Sequence, residues 1–157
     1  MNTNKRMLIY TFAACILLLM VPVIYYAVLQ YQKTHFSCSA DYSAVNGGKR
    51  FISKSSLIVN GDSGTWMMDG KISAQGQAPD YFKLRNRFHL ERTDFSYHFL
   101  TRKVLITSEN NAAVDKLNEF LANVITKPGA DSFFYIYRIG ENYVVTSGDT
   151  PILFCNK

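Results

Sequence analysis

The sequence predicts a mainly β protein: one N-terminal transmembrane helix, then an antiparallel meander of about eight strands, a lipocalin-like barrel or a strongly curled sheet, with one late α-helix. Three observations predict it. Met7 to Leu29 contains no charged side chain, and no second stretch like it follows. Beyond it the apolar residues recur at every second position for most of the chain, the period of strands with one buried face. Breaks rich in Gly, Asn and Asp divide these runs, as hairpin turns do.

The apolar run comes first. At about 1.5 Å of rise per residue it reaches roughly 34 Å, enough for a hydrocarbon core of about 30 Å. It ends in Tyr25, Tyr26, Leu29, Gln30 and Tyr31 with no A-x-A pattern, whereas a cleavable signal has a shorter apolar region and small residues at its cleavage site. A retained anchor is therefore expected, an unusually long signal sequence being the other reading. Lys5 and Arg6 favour a cytoplasmic N-terminus, and the tyrosines suit the opposite interface. This gives residues 1-6 in the cytoplasm, 7-29 in the membrane and 30-157 as a periplasmic β-rich domain, with 30-35 a short tether. The expected location is a bacterial inner membrane, crossed once.

Strand alternation then runs from Phe36 through Cys38, Ala40, Tyr42 and Ala44 to a hairpin signal at Asn46-Gly47-Gly48. A second run, Arg50 to Val59, places Phe51, Leu57 and Val59 on one face and ends at Asn60-Gly61-Asp62-Ser63-Gly64. Trp66, Met68, Gly70 and Ile72 form the third inward set; Phe82, Leu84, Phe88 and Leu90 form the fourth. After a turn at Thr93-Asp94 the fifth run changes phase, from Phe95, Tyr97 and Phe99 to Leu100, Val104 and Ile106. That predicts a bulge or bend near Thr101 to Lys103. From Ser108, a candidate N-cap, to Thr126 the period becomes helical, with Val114, Leu117, Leu121, Val124 and Ile125 on one stripe and Pro128-Gly129 as the stop. Phe133, Tyr135, Tyr137 and Ile139 alternate next, followed by strands over Tyr143 to Thr146 and Ile152 to Cys155.

A meander must protect its two outer edges, and closing on itself does so. Two cysteines stand where such a barrel would seal, Cys38 in the first strand and Cys155 in the last, while Cys15 lies in the apolar helix. In an oxidising compartment the outer pair reads as a disulfide bond. Two separate buried thiols are the other reading; a metal site is further off, since His35 is the only nearby histidine. A sheet curled over the helix without closing is the alternative architecture.

Charge narrows the function classes. The chain has 17 Lys and Arg against 12 Asp and Glu; setting aside Lys5 and Arg6, the outer domain is only mildly basic, which gives no reason to expect direct nucleic-acid binding. Lys83, Arg85, Arg87 and His89 share one strand face. A solvated outer face is their first reading; anionic headgroups, an acidic partner or an anionic ligand are the others. No enzyme and no cofactor are expected. Gly61-Asp62-Ser63-Gly64 has the letters of a protease nucleophile segment but occupies a hairpin turn, and His35, His89 and His98 are isolated, without the combined carboxylate and nucleophile context of a general base unless folding assembles partners. There is no P-loop, G-x-G-x-x-G or H-E-x-x-H.

The basic N-terminus, the single apolar helix, the F-S-C-S-A segment at Phe36 to Ala40, the late helix and the terminal Cys155 together resemble the FidL-like family of small enterobacterial inner-membrane proteins. More remotely, in architecture alone, the chain is similar to the ToxS and VtrC accessory subunits. The resemblance implies signal transduction by a co-component, which binds and stabilises the periplasmic domain of a membrane-spanning winged-helix transcriptional regulator as a heterodimer. It also implies a cavity for an amphipathic, bile-salt-like small molecule. Candidate lining residues are Trp66, Met68, Phe82, Phe88, Tyr97, Phe99, Tyr135 and Tyr137, since a pocket needs apolar walls and a few hydroxyls; the plainer reading is that they fill the core. Partner binding by strand addition to an exposed edge is a further mode. A stand-alone envelope protein that binds a lipid or other hydrophobic ligand, or assists assembly, is the alternative function.

Overall fold

The computed structural model describes residues 3–93, 96–108 and 113–156, and the chain divides into two compact units between His35 and Phe36. Asp94 and Phe95, expected at the fourth turn and in the fifth strand, lie outside the described residues, as do the side chains of Lys5, Arg6 and Val114.

The first unit is a single helix, α1 (Thr3–Thr34). Its segment Met7–Thr34 contains an 18-residue window of mean hydropathy 2.6 and is long and apolar enough to cross a membrane. The helix continues through residues 30–34 of the expected tether. No glycine or proline interrupts those residues, and the Thr34 hydroxyl donates back to the Gln30 carbonyl at 3.4 Å.

The second unit is an eight-stranded antiparallel meander: β1 (His35–Asn46), β2 (Lys49–Asn60), β3 (Ser63–Ala74), β4 (Asp80–Thr93), β5 (Ser96–Ser108), β6 (Asp131–Ile139), β7 (Asn142–Ser147) and β8 (Thr150–Cys155). Each strand pairs with the next in sequence, and the meander curls into a nearly closed barrel. Two-residue loops join most hairpins; at β2–β3 the loop is Gly61-Asp62, where Gly61 has φ 65°, the left-handed geometry that suits strand twist and favours glycine.

Alternation holds through the long strands. The inward residues Phe51, Leu57, Trp66, Met68, Phe82, Leu84 and Phe88 are all nearly inaccessible. Gly70 sits where β2 and β3 press closest, since a Cβ there would fall on the Ile52 carbonyl oxygen and on Ser53. The phase change in β5 is a bulge: Arg87 pairs with Lys103 and Phe88 with Thr101, leaving Arg102 over. Leu100, expected inward with Val104 and Ile106, precedes the bulge and is only half-buried; Thr101 takes the inward place.

Two expectations are corrected. The single late helix is two short pieces, α2 (Ala113–Leu117) and α3 (Asn123–Thr126), and Ser108 ends β5 instead of capping a helix. Tertiary contacts override the helical period. Glu119 is held by Lys49 at 2.8 Å and, through its carbonyl, by Asn46 at 3.3 Å, while Lys116 reaches Asp80 at 3.1 Å. Leu117, Leu121, Val124 and Ile125 are thereby buried in the same core as the strands. In β6 the phase is the opposite of that expected. Phe134 is buried and Ile136 packs on the core, whereas Phe133, Tyr137 and Ile139 are exposed and Tyr135 is half-buried.

Candidate functional site

Closure of the barrel is local. The two backbone hydrogen bonds between Ser39 and Asn156, each 2.8 Å, form an isolated bridge, and the disulfide Cys38–Cys155 spans the same seam with Cα atoms 5.1 Å apart. The side chains of both cysteines face the core. Beyond Ser39 and Asn156 no ladder joins β1 to β8 among the described residues.

A cavity of about 220 Å³ is walled by Tyr42 of β1, Ile152 and Leu153 of β8, Trp66, Met68 and Phe134 of other strands, and Phe120, Leu121, Ala122 and Ile125 of the helical segment, with Ser132 and Ser147 adding hydroxyls. Of the eight expected lining residues, only Trp66 and Met68 take part. Phe82 stacks on Phe51 at 5.2 Å and Phe88 meets Phe99 at a tilt at 4.4 Å, so these rings are core filling. Tyr97 is buried with them, and burial pushes its phenol up from the ordinary value, partly offset by Arg92 over its ring at 5.8 Å. Tyr135 and Tyr137 stand on the outside, their rings 6.4 Å apart.

Sequence reasoning missed the polar anchor of the interior. Asn86 is buried between Leu84 and Phe88 on the inward face, and its amide donates to the Val124 and Ile125 carbonyls at 2.8 and 3.0 Å and to the Thr101 hydroxyl at 3.1 Å. The Thr101 hydroxyl donates in turn to the Val124 carbonyl. These bonds satisfy carbonyls that a four-residue helix leaves open. Trp66 is fixed similarly, its indole N–H donating to the Ser55 hydroxyl at 2.6 Å. The inward phase of Asn86 was the available signal.

The outer faces of the two halves differ. On β6 to β8, Tyr137 pairs with Val144 and Val144 with Phe154, a row of apolar side chains flanked by Tyr135, Ile139 and Pro151. Phe154 is 67% exposed and Tyr137 47%. On β2 to β5 the outer face carries Lys54, Lys83, Arg85, Arg87, Arg102 and Lys103; an open groove of about 880 Å³ reaches from Lys54, Lys83 and Arg85 to Ser39, Ala40 and Asp41 of β1 and to Asn156, and a second of about 550 Å³ is lined by Arg87 and Arg102.

His98 lies between the halves. It ranks among the histidines isolated in sequence, but strand pairing brings Asp131 to 2.8 Å and Glu91 to 3.7 Å, and Phe133 stacks on its ring at 4.6 Å. The hydrogen bond it donates to Asp131 raises its pKa above the ordinary 6.5, opposed by desolvation and reinforced by the charges of Asp131 and Glu91. Among the described residues, no group of three His, Cys, Asp or Glu could hold a metal ion. No family model, curated protein or solved structure matches the chain.

Proposed function

We propose that this protein is an anchored accessory subunit, which holds its barrel outside the cytoplasm and uses it to bind and stabilise the outer domain of a membrane-spanning winged-helix regulator. The observation that carries the reading is the row Tyr137–Val144–Phe154 with its apolar flanks. Single exposed apolar residues are ordinary, but a contiguous patch rimmed by polar groups marks a protein interface. The cystine supports an oxidising compartment, which an apolar anchor with the basic pair Lys5 and Arg6 at its short end would reach with the N-terminus inside. The unpaired stretches of β1 and β8 offer the partner a place to add a strand.

The cavity supports a narrower role for the ligand. At about 220 Å³ it falls below the roughly 300 to 1,000 Å³ usual for drug-sized ligands, so a bile-salt-like signal fits only if the partner supplies another wall. A stand-alone protein for a small apolar ligand is the second reading, favoured by the same cavity.

Co-expression tests the proposal. The full chain and its cognate regulator, extracted together in mild detergent, are expected to co-purify as a 1:1 complex, and Phe154→Glu or Tyr137→Glu should dissociate it without lowering the melting temperature of the isolated subunit. Two stable proteins that never associate, or a complex indifferent to both substitutions, would overturn it. Labelling of the carboxyl terminus from inside the cell would overturn the orientation.

A further inference from the structure

We propose that the β5 bulge builds a phosphoryl-anion site on the outer face of the barrel, formed by Arg87, Arg102 and Lys103. Along a regular strand, successive side chains point to opposite faces. The extra residue breaks that rule: Thr101 is buried, whereas Arg102 and Lys103 are both exposed, so two consecutive cations stand opposite Arg87. Bulges occur next to active sites because they re-aim a side chain in this way.

Three features distinguish this cluster from a merely solvated face. First, Arg87 and Lys103 are direct cross-strand partners, an arrangement of like charges that destabilises a sheet unless something relieves it. Second, among the described residues none of the three cations has a carboxylate within ion-pair distance. The nearby Glu91 is engaged with His89 at 3.8 Å and His98 at 3.7 Å, and Asp69 pairs with Lys83 at 3.4 Å. Third, Arg87 and Arg102 line the groove of about 550 Å³, whose walls add the polar side chains of Asn60 and Thr65 and the ring of His89, while the Ser63 hydroxyl there donates to the Asn60 carbonyl at 3.2 Å.

Two guanidiniums, an ammonium and a hydroxyl match a phosphoryl group better than a carboxylate. Guanidinium forks bind phosphate oxygens in pairs, and three cations suit a dianion. The site is open to solvent, so its binding is moderate in strength and weakens with salt. The same chemistry is met in inorganic phosphate and in the headgroup of an anionic phospholipid.

The test uses the full chain. In neutral maltoside micelles at low salt, inorganic phosphate is titrated and its phosphorus NMR line width followed; the wild type should broaden the line well beyond a micelle blank. In Arg87→Gln/Arg102→Gln the apparent affinity should fall by about tenfold, while Arg50→Gln, on the same face but outside the groove, leaves it unchanged. Lys103→Gln alone should weaken binding in the same direction, which keeps the test informative if the double variant folds poorly. In a second arm, the chain in phosphatidylcholine vesicles is mixed with separate vesicles rich in phosphatidylglycerol. Bridging that depends on Arg87 and Arg102 assigns the site to a headgroup; line broadening without bridging assigns it to a soluble phosphoryl compound. Binding absent from both arms, or equal in wild type and the double variant, overturns the proposal.

Discussion

The two halves of the barrel wall present opposite faces to solvent. Strands β2 to β5 are 12 to 14 residues long and place charges outside, whereas β6 to β8 are 6 to 9 residues long and place aromatic and aliphatic side chains there. In the long strands a slip of one residue would bury lysine and arginine, so register is strongly specified. In β6 both phases are apolar, Phe133, Tyr135, Tyr137 and Ile139 on one and Phe134 and Ile136 on the other, so hydrophobicity alone does not choose between them. Packing chooses: Phe134 meets Trp66 edge-on at 6.3 Å and Phe99 at 4.9 Å. A strand left apolar on its outer face is one whose outer face has another use.

The largest expected effect concerns the cystine that ties β1, at the margin of the charged half, to β8 of the apolar one. Cys38→Ser removes a crosslink between residues 117 apart, and the chain-entropy model assigns such a loop about 4 to 5 kcal/mol. Thermal melting and limited proteolysis of the variant should show a much lower melting temperature and cleavage near the seam. An unchanged melting curve would mean that the Ser39–Asn156 bridge suffices.

A paired substitution probes the phase of β6. Phe134→Ala should cost about 3 to 5 kcal/mol, as for a ring lost from a packed core, while Phe133→Ala, at a position 57% exposed, should cost less than about 1 kcal/mol. Chemical denaturation of both variants checks the difference, and a reversed order would restore the phase read from the sequence.

Asn86→Ala comes next. It leaves the Val124 and Ile125 carbonyls without their amide donor, a loss of about 1 to 3 kcal/mol for buried polar groups. Hydrogen exchange should rise first in residues 117–126 and last in β2 and β3. Uniform acceleration through the barrel would show that the segment is not separately anchored.

The smallest effect is a pH dependence. The pKa of His98 is raised in the folded state, so its contribution is fully present below the unfolded value near 6.5 and is lost as pH rises through the higher folded value. The melting temperature of the wild type relative to Asp131→Asn should be higher at acid pH, and the gap should narrow above neutrality. A gap that does not change with pH would remove the ion pair from the account.

The sequence carried the β class, the inward faces of β1 to β4, the bulge and the two seam cysteines because each is a local pattern or a matter of position. What it concealed depended on assembly. Residues 113–126 have a helical stripe, but Lys49, Asn46, Asp80 and Asn86 pull that segment into short turns. The carboxylates of His98 come from two other strands. Of the expected lining residues, Trp66 and Met68 reach the cavity, while the others fill the core or face outward, because alternation gives the face of a strand but not which inward positions the helical segment fills.

The seam has a consequence for biogenesis. Strand β1 is among the first parts of the barrel to be synthesised, yet the cysteine that secures it arrives 117 residues later, so contact is made late and at long range. Until then the nascent sheet carries a bare edge that any neighbouring chain can extend. Slow oxidation of the two thiols would therefore yield tangled oligomers before misfolded monomers.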